Sequence, residues 1–520
     1  MNRPIRKVAI AMAVLFLALF VNLNFVQVVK GSHYRDDPAN RRVLLNEYSS
    51  QRGQIVVQGD PIAQSKASND ELKYQRKYSN GPVYAPATGY YSFTYGTTGI
   101  EDAENQILSG DAADLFTTKL GNILTGRNPR GGSVELTLNK AAQTAAYNAM
   151  RSGRGSFKRG AVVALDPQTG SILAMVSTPS FDPNKLASHD ADAISKAYKA
   201  YINDKSEPML NRALRQNYPA GSIFKIIDSA AAVKKGIKAD DKIPAPNSYW
   251  PLEPKRTSSC PAGLSAPCVQ NFEGERCQNG KTATLAFALA KSCNTAFAAL
   301  AVEKLGPQAL QDQARLFGFD GPDLSVPLPV AGSTIGTASV LSDNAALAQT
   351  SFGQRDVRVT PLQAAMLSAA VANNGTLMRP FLVKSERRPN LTVLKTTDPK
   401  QLSQVIDPDL DQELIKMMEG VVTNPAGTGG PANVTAFGDS VKIAGKTGTA
   451  DVGQTSASND KPDAWFTGFA LVKGSPKIAV AVVMENAGVA GNEATGGLAA
   501  GPVAKKVIEA YLDSINIPKG

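Results

Sequence analysis

Three short segments hold residues that could do nucleophilic chemistry. In Tyr218-Pro-Ala-Gly-Ser-Ile-Phe-Lys225 the Pro and Gly mark a turn, and an alanine-rich stretch follows. The pattern predicts a helix over 223–233, with Ser222 in its first turn and Lys225 three residues on, so both side chains share one face. A serine hydroxyl is a weak nucleophile until something takes its proton. The chain has only two histidines, His33 and His189, so a Ser-His-Asp site would have to use one of them, and His-Glu-x-x-His zinc chemistry is excluded. A lysine in reach is the natural base, provided it is neutral; burial and a second nearby cation both push it that way. The positive end of the helix also favours negative charge developing on the serine. Ser292-Cys-Asn294 lies between two further alanine-rich segments, which predict helices over 282–290 and 295–304. A serine there can relay a proton, and an asparagine can bind an amide through donor and acceptor together. Lys446-Thr-Gly-Thr449 follows Val441-Lys-Ile-Ala-Gly445, which is strand-like. Gly448 would let a substrate backbone approach closely, Thr447 and Thr449 offer hydroxyls to a carboxylate, and Lys446 supplies the second cation. Taken singly, each segment has an ordinary explanation: a capping serine, an inter-helix cap, an edge strand ending in a turn.

Elements that could position these residues surround them. Ala161–Leu165 and Ser171–Val176 flank Asp166-Pro-Gln-Thr-Gly170, a hairpin with turn chemistry. Helical stretches then dominate, among them 362–372. Strands return at 441–444 and 477–484, and a helix over 502–512 closes the chain. Strands at both ends of a domain with a helical insert between them predict an α/β (α+β) fold whose first and last strands share one sheet. Upstream, 31–150 is polar and mixed. Tyr78 to Thr98 is dense in Tyr, Ser and Gly and predicts irregular loops or short strands; Val134–Leu138 alternates like a strand, and Asn139 can cap a helix over 141–150. Gly, Ser and basic residues over 151–160 mark a domain boundary.

The 520 residues correspond to about three domains at roughly 150 residues each. Hydrophobic residues at 43% and charged residues at 19% exclude wholesale disorder and collagen-like chains. The net charge of +10 suits anionic partners or simple solubility. Arg3, Arg6 and Lys7 precede an apolar run from Val8 to Val21 that stays mostly apolar to Val29. No Ala-x-Ala cleavage site follows, so an uncleaved anchor over 8–29 is expected, with residues 1–7 in the cytosol and the rest outside. Cys260, Cys268, Cys277 and Cys293 lie close together, and an exported domain permits disulfides. Three full pairings are open. Cys260 with Cys268 is locally easier, whereas Cys277 with Cys293 needs the chain to fold back across a predicted helix.

In the order S-x-x-K, S-x-N, K-T-G, the three segments resemble the active-site set of the penicillin-binding proteins and serine β-lactamases. Gly160 to Val176 is similar to the opening hairpin of a transpeptidase domain. Phe352-Gly-Gln354, Val359-Thr-Pro-Leu-Gln363, Val371-Ala-Asn-Asn-Gly375 and Trp465-Phe-Thr-Gly-Phe469 are similar to its later segments. Arg52-Gly53 and Asp60-Pro61 loosely resemble the pedestal domain of class B members, and the length and anchor are most like the monofunctional class B transpeptidases of actinobacteria. The resemblance implies a membrane anchor, a non-catalytic pedestal over 30–153 and a penicillin-binding/serine β-lactamase-like transpeptidase domain over 154–517. It implies that Ser222 attacks the penultimate D-Ala carbonyl of a peptidoglycan stem peptide and Lys225 takes its proton. Ser292 and Lys446 would pass a proton to the leaving D-Ala, and Asn294 would hold the peptide. Lys446, Thr447 and Thr449 would read the terminal carboxylate. Backbone N–H groups of Ser222 and Thr449 would form the oxyanion hole. No metal, cofactor or nucleic acid is implied; β-lactams would acylate Ser222, and a SEDS-type membrane glycan polymerase is the implied partner. A D,D-carboxypeptidase would use the same site with water as acceptor, and a non-catalytic scaffold of a cell-wall assembly complex is the reading from another class.

Overall fold

The computed structural model describes residues 2–30, 48–112, 130–152, 159–252, 260, 267–322, 324–450, 462–487 and 496–520. The expected domain boundary at 153/154 falls outside them. In chain order the main elements begin with α1 (Asn2–Asn24). Strands β1 (Ile55–Val57), β2 (Asp60–Ala67) and β3 (Tyr74–Tyr78) follow, then α2 (Gly81–Thr88), β4 (Ser133–Leu136) and α3 (Lys140–Ser152). Next come β5 (Gly160–Leu165), β6 (Ile172–Thr178), α4 (Lys225–Lys234), α5 (Leu285–Lys291), α6 (Asn294–Leu300) and α7 (Pro361–Ala372). The chain continues through β7 (Val383–Arg387), β8 (Val393–Thr396) and α8 (Pro408–Thr423). It ends with β9 (Val441–Ala450), β10 (Asp463–Val472), β11 (Ser475–Met484) and α9 (Gly501–Ser514).

Helix α1 has 23 residues, and its described side chains are exposed. At 1.5 Å per residue it is about 35 Å long, enough to cross a hydrocarbon layer of about 30 Å.

Two sheets organise the rest. The C-terminal sheet has the order β9-β10-β11-β5-β6 and is antiparallel throughout. As the sequence pattern predicts, its first and last strands in the chain are brought together, β5 pairing with β11. Residues of β5 alternate between two cores. Val162 and Ala164 face α3 and α9 with Ala142, Ala146, Val503 and Ile508; Ala161, Val163 and Leu165 face the core that holds Ile223, Ile226 and Leu362. Strands buried on both faces read as continuous apolar runs, which is why the hairpin was legible. Every residue of α7 is buried; a helix apolar all round belongs inside. Thr360 caps it by accepting from Gln363 N.

The second sheet has the order β8-β7-β4-β1-β2-β3. Two of its strands come from far along the chain: β7 pairs antiparallel with β4, and β8 pairs with β7. The stretch 78–98 holds the expected short strands, Tyr91–Ser92 paired with Gly96–Thr97, but it also holds a helix that was not expected. Asn80 adopts a left-handed φ of 49°, and Gly81-Pro82 starts α2, which continues through Pro86 to Thr88. Proline fits the first helical turn, where its missing N–H has no intrahelical acceptor.

Candidate active site

Ser222 does not lie in the α-helix predicted over 223–233. Gly221–Phe224 form a 3-10 turn, and the α-helix α4 begins at Lys225. The turn is held from outside: Gly221 N donates to Gly353 O at 2.9 Å, and Trp465 Nε1 donates to Pro219 O at 3.1 Å. Gly221 has φ 54° and lies so close to β9 that a Cβ there would come within 2.7 Å of Thr449 O. Only glycine combines that conformation with that approach. The serine turn and the Thr449 end of β9 are thus in backbone contact.

The helix predicted over 282–290 starts later. Thr282–Thr284 form a strand paired with Lys242–Pro244, and Thr284 caps α5 by accepting from Phe287 N. β-branched threonine favours the strand and the cap over the helix interior. The segment 295–304 is helical from Asn294 and ends in a π-turn over Ala301–Leu305. Between α5 and α6, Ser292 takes a left-handed φ of 65°, unusual for a residue with a side chain. The next residue, Cys293, is bonded to Cys277, and Cys260 is bonded to Cys268. Both bridges tie down the wall of the cleft that contains Ser292.

Strand β9 runs through Ala450, well past the predicted 441–444, so Lys446 to Thr449 lie in regular strand. It stands at the end of its sheet, paired with β10. Thr447, Gly448 and Thr449 line a cleft of about 340 Å³, together with Ser222, Ser292 and Asn294.

The residues singled out in the sequence converge here. Lys225 Nζ lies 2.9 Å from Ser222 Oγ and 3.3 Å from Ser292 Oγ, and donates to Ser292 O and to Asn294 Oδ1, each at 2.7 Å. Lys446 Nζ lies 2.8 Å from Ser292 Oγ and donates to Thr447 O at 2.9 Å. A continuous line therefore runs Ser222, Lys225, Ser292, Lys446. Both lysines are fully buried. Burial, and then the neighbouring Lys446, push Lys225 well below its usual range, with Asp228 opposing. Burial brings Lys446 down to about 7. An amine in reach of the serine hydroxyl and inclined to be neutral is the base that serine needs.

Two placements add to the sequence reading. The amide of Asn294 is engaged at both ends, accepting from Lys225 and donating to Gln270 O at 3.2 Å. The hydroxyl of Thr447 meets Thr428 Oγ1 at 2.5 Å. Thr428, Gln270, Phe272 and the ion pair of Lys291 with Glu275 at 2.7 Å also belong to the cleft wall, and sequence reasoning missed them. No spacing pattern marks them; only the closeness of Glu275 to Cys277, and of Lys291 to Ser292, pointed that way.

The penicillin binding protein transpeptidase domain matches residues 160–509, and the penicillin binding protein A dimerisation domain matches residues 52–134. The chain is 42% identical over 512 residues to the peptidoglycan D,D-transpeptidase PbpA of Mycolicibacterium smegmatis, covering 98% of this chain and 99% of that protein. Among solved structures it is similar to penicillin-binding protein A from M. tuberculosis in its ceftriaxone acyl-enzyme complex, with TM-score 0.82 and 41% identity over 90% of this chain and all of that one. The penicillin G acyl-enzyme complex of the same protein gives TM-score 0.79 and 40% identity over 89% of this chain and all of that one.

Proposed function

The chain belongs to the penicillin-binding protein transpeptidases of class B, and from that premise we propose that it is a peptidoglycan D,D-transpeptidase working through an acyl-enzyme on Ser222. The observation that carries this reading is the buried line of Ser222, Lys225, Ser292 and Lys446, with hydroxyls and amines alternating at hydrogen-bond distance.

The reaction follows from that line. Lys225 takes the Ser222 proton as Oγ attacks the penultimate D-Ala carbonyl. The N–H groups of Ser222 and Thr449 receive the oxyanion; one such donor is worth about 3–4 kcal/mol in the transition state. When the C–N bond breaks, the leaving D-Ala amine takes a proton through Ser292, which both lysines reach. Thr447, Thr449 and Lys446 on the edge strand bind the terminal carboxylate, Gly448 admits the peptide backbone, and Asn294 offers its amide to the peptide. The amine of a second stem peptide then attacks the ester, forming the cross-link and freeing Ser222. β-Lactams enter the same path and stop at the acyl-enzyme.

Helix α1, with the π-helical turn Phe25–Val29 that continues it, serves as the anchor over 8–29, with residues 1–7 in the cytosol and the catalytic domain outside, where the two disulfides are stable. The pedestal over 30–153 and the catalytic domain over 154–517 stand on that anchor, and a SEDS-type glycan polymerase is the proposed membrane partner. Co-purification from membranes tests the partner, and its absence counts against it.

The test of the chemistry is acylation of the full chain by a labelled penicillin, with peptide mapping and Ser222→Ala as control. A stable adduct on the Ser222 peptide, absent from the variant, is the expected result. A folded protein that takes no label overturns the reading.

A further inference from the structure

The face that carries Ser222 and Lys225 has a third member. Residue 228, three further along α4, is an aspartate. Its carboxyl is fully buried, and neither oxygen has a hydrogen-bond partner on another residue. Side chains three apart in a helix are neighbours, so hydroxyl, amine and carboxyl follow one another from the cleft into the core. A buried carboxyl that no other residue hydrogen-bonds works against folding. The alanines 230–232 beside it show what this helix uses where only packing matters.

The surroundings of Asp228 leave one partner for its charge. Burial pushes the Asp228 carboxyl well above its usual range and Lys225 opposes that, just as Asp228 opposes the lowering of Lys225 by burial and by Lys446, so each of the two groups favours the charge of the other. The helices packed against α4 carry other charged groups that do not bear on it. Asp312 and Arg315 are exposed and lie near each other, Glu303 and Lys304 are exposed, and Lys291 pairs with Glu275. Asp411 of α8 is buried but acts on neither group. In the cleft itself, among the described residues, the hydrogen-bond partners of both lysines are hydroxyls, a carboxamide and backbone carbonyls, none of them an anion.

We propose that Asp228 is a positioning residue for acylation, its carboxyl being the counter-group of the ammonium that forms on Lys225 when Ser222 gives up its proton. The inference rests on the roles assigned above to Ser222 and Lys225. During acylation by a β-lactam, the bond from Oγ to the carbonyl carbon forms while the Ser222 proton moves to Lys225 Nζ. The lactam C–N bond then breaks, and its nitrogen takes a proton delivered through Ser292. In the interval Lys225 is a buried cation beside a second lysine. Asp228, three residues along the helix from Lys225, opposes the build-up of positive charge there.

The experiment compares the full chain with Asp228→Asn, which keeps shape and removes the charge. The second-order rate of acylation by a fluorescent penicillin is measured against pH, normalised to the fraction that can be labelled. The wild-type chain must first label at Ser222; failure there overturns the function and not this inference. With Asp228 absent, Lys225 loses its proton more readily, so the acid limb of the profile moves to lower pH by about one unit. The plateau falls about tenfold, because the ammonium of the transition state has lost its counter-charge. A purely structural aspartate would change the labelled fraction or the melting temperature and leave the midpoint of the acid limb in place, which overturns the proposal. Should Asp228→Asn not fold, the same profile on Asp228→Thr decides, with the same shift expected and an unmoved midpoint against it.

Discussion

The two large sheets of this molecule each have charged groups buried beside them, and they treat those charges in opposite ways. In the N-terminal sheet region, Glu101 is fully buried and shared by two arginines, Arg52 Nε at 2.7 Å and Arg76 Nε at 2.6 Å, with Tyr78 OH donating to it at 3.1 Å. Burial pushes its carboxyl up, but Arg76 and Arg52 outweigh that and hold it below the usual range. Beside the C-terminal sheet, Lys225 and Lys446 are equally buried, have no carboxylate partner within salt-bridge distance among the described residues and are pushed towards neutrality. The difference is one of residue type and task. Arginine stays charged in proteins and forks onto a carboxylate, which suits a structural joint. Lysine changes its protonation readily when buried, which suits a base. The same operation, removing a cation from water, makes a clamp in one region and a reagent in the other.

Exchanging the two residue types is the sharpest way to test this contrast, and its effect is expected to be the largest. Lys225→Arg places a permanently charged group next to Ser222, and acylation by penicillin should fall about 10²–10⁴-fold, the usual range for losing a general base. Arg76→Lys in the other region should leave the acylation rate of the folded protein unchanged and lower its melting temperature. Equal loss of rate in both variants would break the contrast.

Next in size is Glu101→Gln. It strips the shared carboxylate from two buried arginines, and breaking a buried pair from one side costs about 3–5 kcal/mol. Denaturant unfolding of the purified full chain measures it. The acylation rate of the fraction that remains folded should match wild type. A loss below about 1 kcal/mol would mean that the arginines are satisfied without Glu101.

The two regions also differ in what their sequences reveal. The catalytic sheet was legible because its strands are continuous apolar runs and because S-x-x-K, S-x-N and K-T-G each bring chemistry to a predictable turn, cap or strand. The positions of Lys446 and Gly448 followed from the strand-like run before them, although the strand extends further than its apolar part. The other sheet was illegible for a physical reason. Its strands are short or polar, β2 reading Asp-Pro-Ile-Ala-Gln-Ser-Lys-Ala, and two of its members are supplied by 383–396. Pairing between segments so far apart leaves no periodic signal in either of them. Asp228 escaped attention for another reason: an aspartate in the first turn of a helix is ordinary, and only its burial beside Lys225 sets it apart.

A third buried carboxyl tests whether the paired and unpaired classes behave differently with pH. Asp411, in the first turn of α8, has no side-chain hydrogen-bond partner, and burial, opposed by the backbone of Gly375, raises it from 3.8 to about 8. Between those values the folded chain keeps a proton that the unfolded chain has released, so stability falls as pH rises across the window. Asp411→Asn should flatten this decline, with the gain over wild type greatest above about pH 8 and absent below the unfolded value. Melting temperatures across that range measure it, and a gain that does not vary with pH would mean that the carboxyl is not the titrating group.

The smallest effect belongs to the seam that fastens β7 to β4. Glu135 of β4 accepts from Lys384 Nζ at 2.8 Å, Arg387 at 2.6 Å and Ser385 Oγ at 3.2 Å, all on the donated strand. Burial pushes Glu135 up, yet the hydrogen bonds from Lys384 and Arg387 hold it below its usual 4.5. Its stabilisation is therefore present above that value and lost as pH falls through the lower folded value. The lysine is 59% and the arginine 34% exposed, so solvent screens much of the attraction. Glu135→Gln should cost about 1 kcal/mol near neutrality and less in acid, with a salt dependence that the Glu101 pair does not show. If the cost instead matched that of Glu101→Gln and ignored salt, the seam would be a buried clamp like the first. The donated strands would then be bound as tightly as the strands that lie beside them in sequence. A small, screened cost leaves backbone pairing, not charge, as what holds β7 and β8 in the sheet.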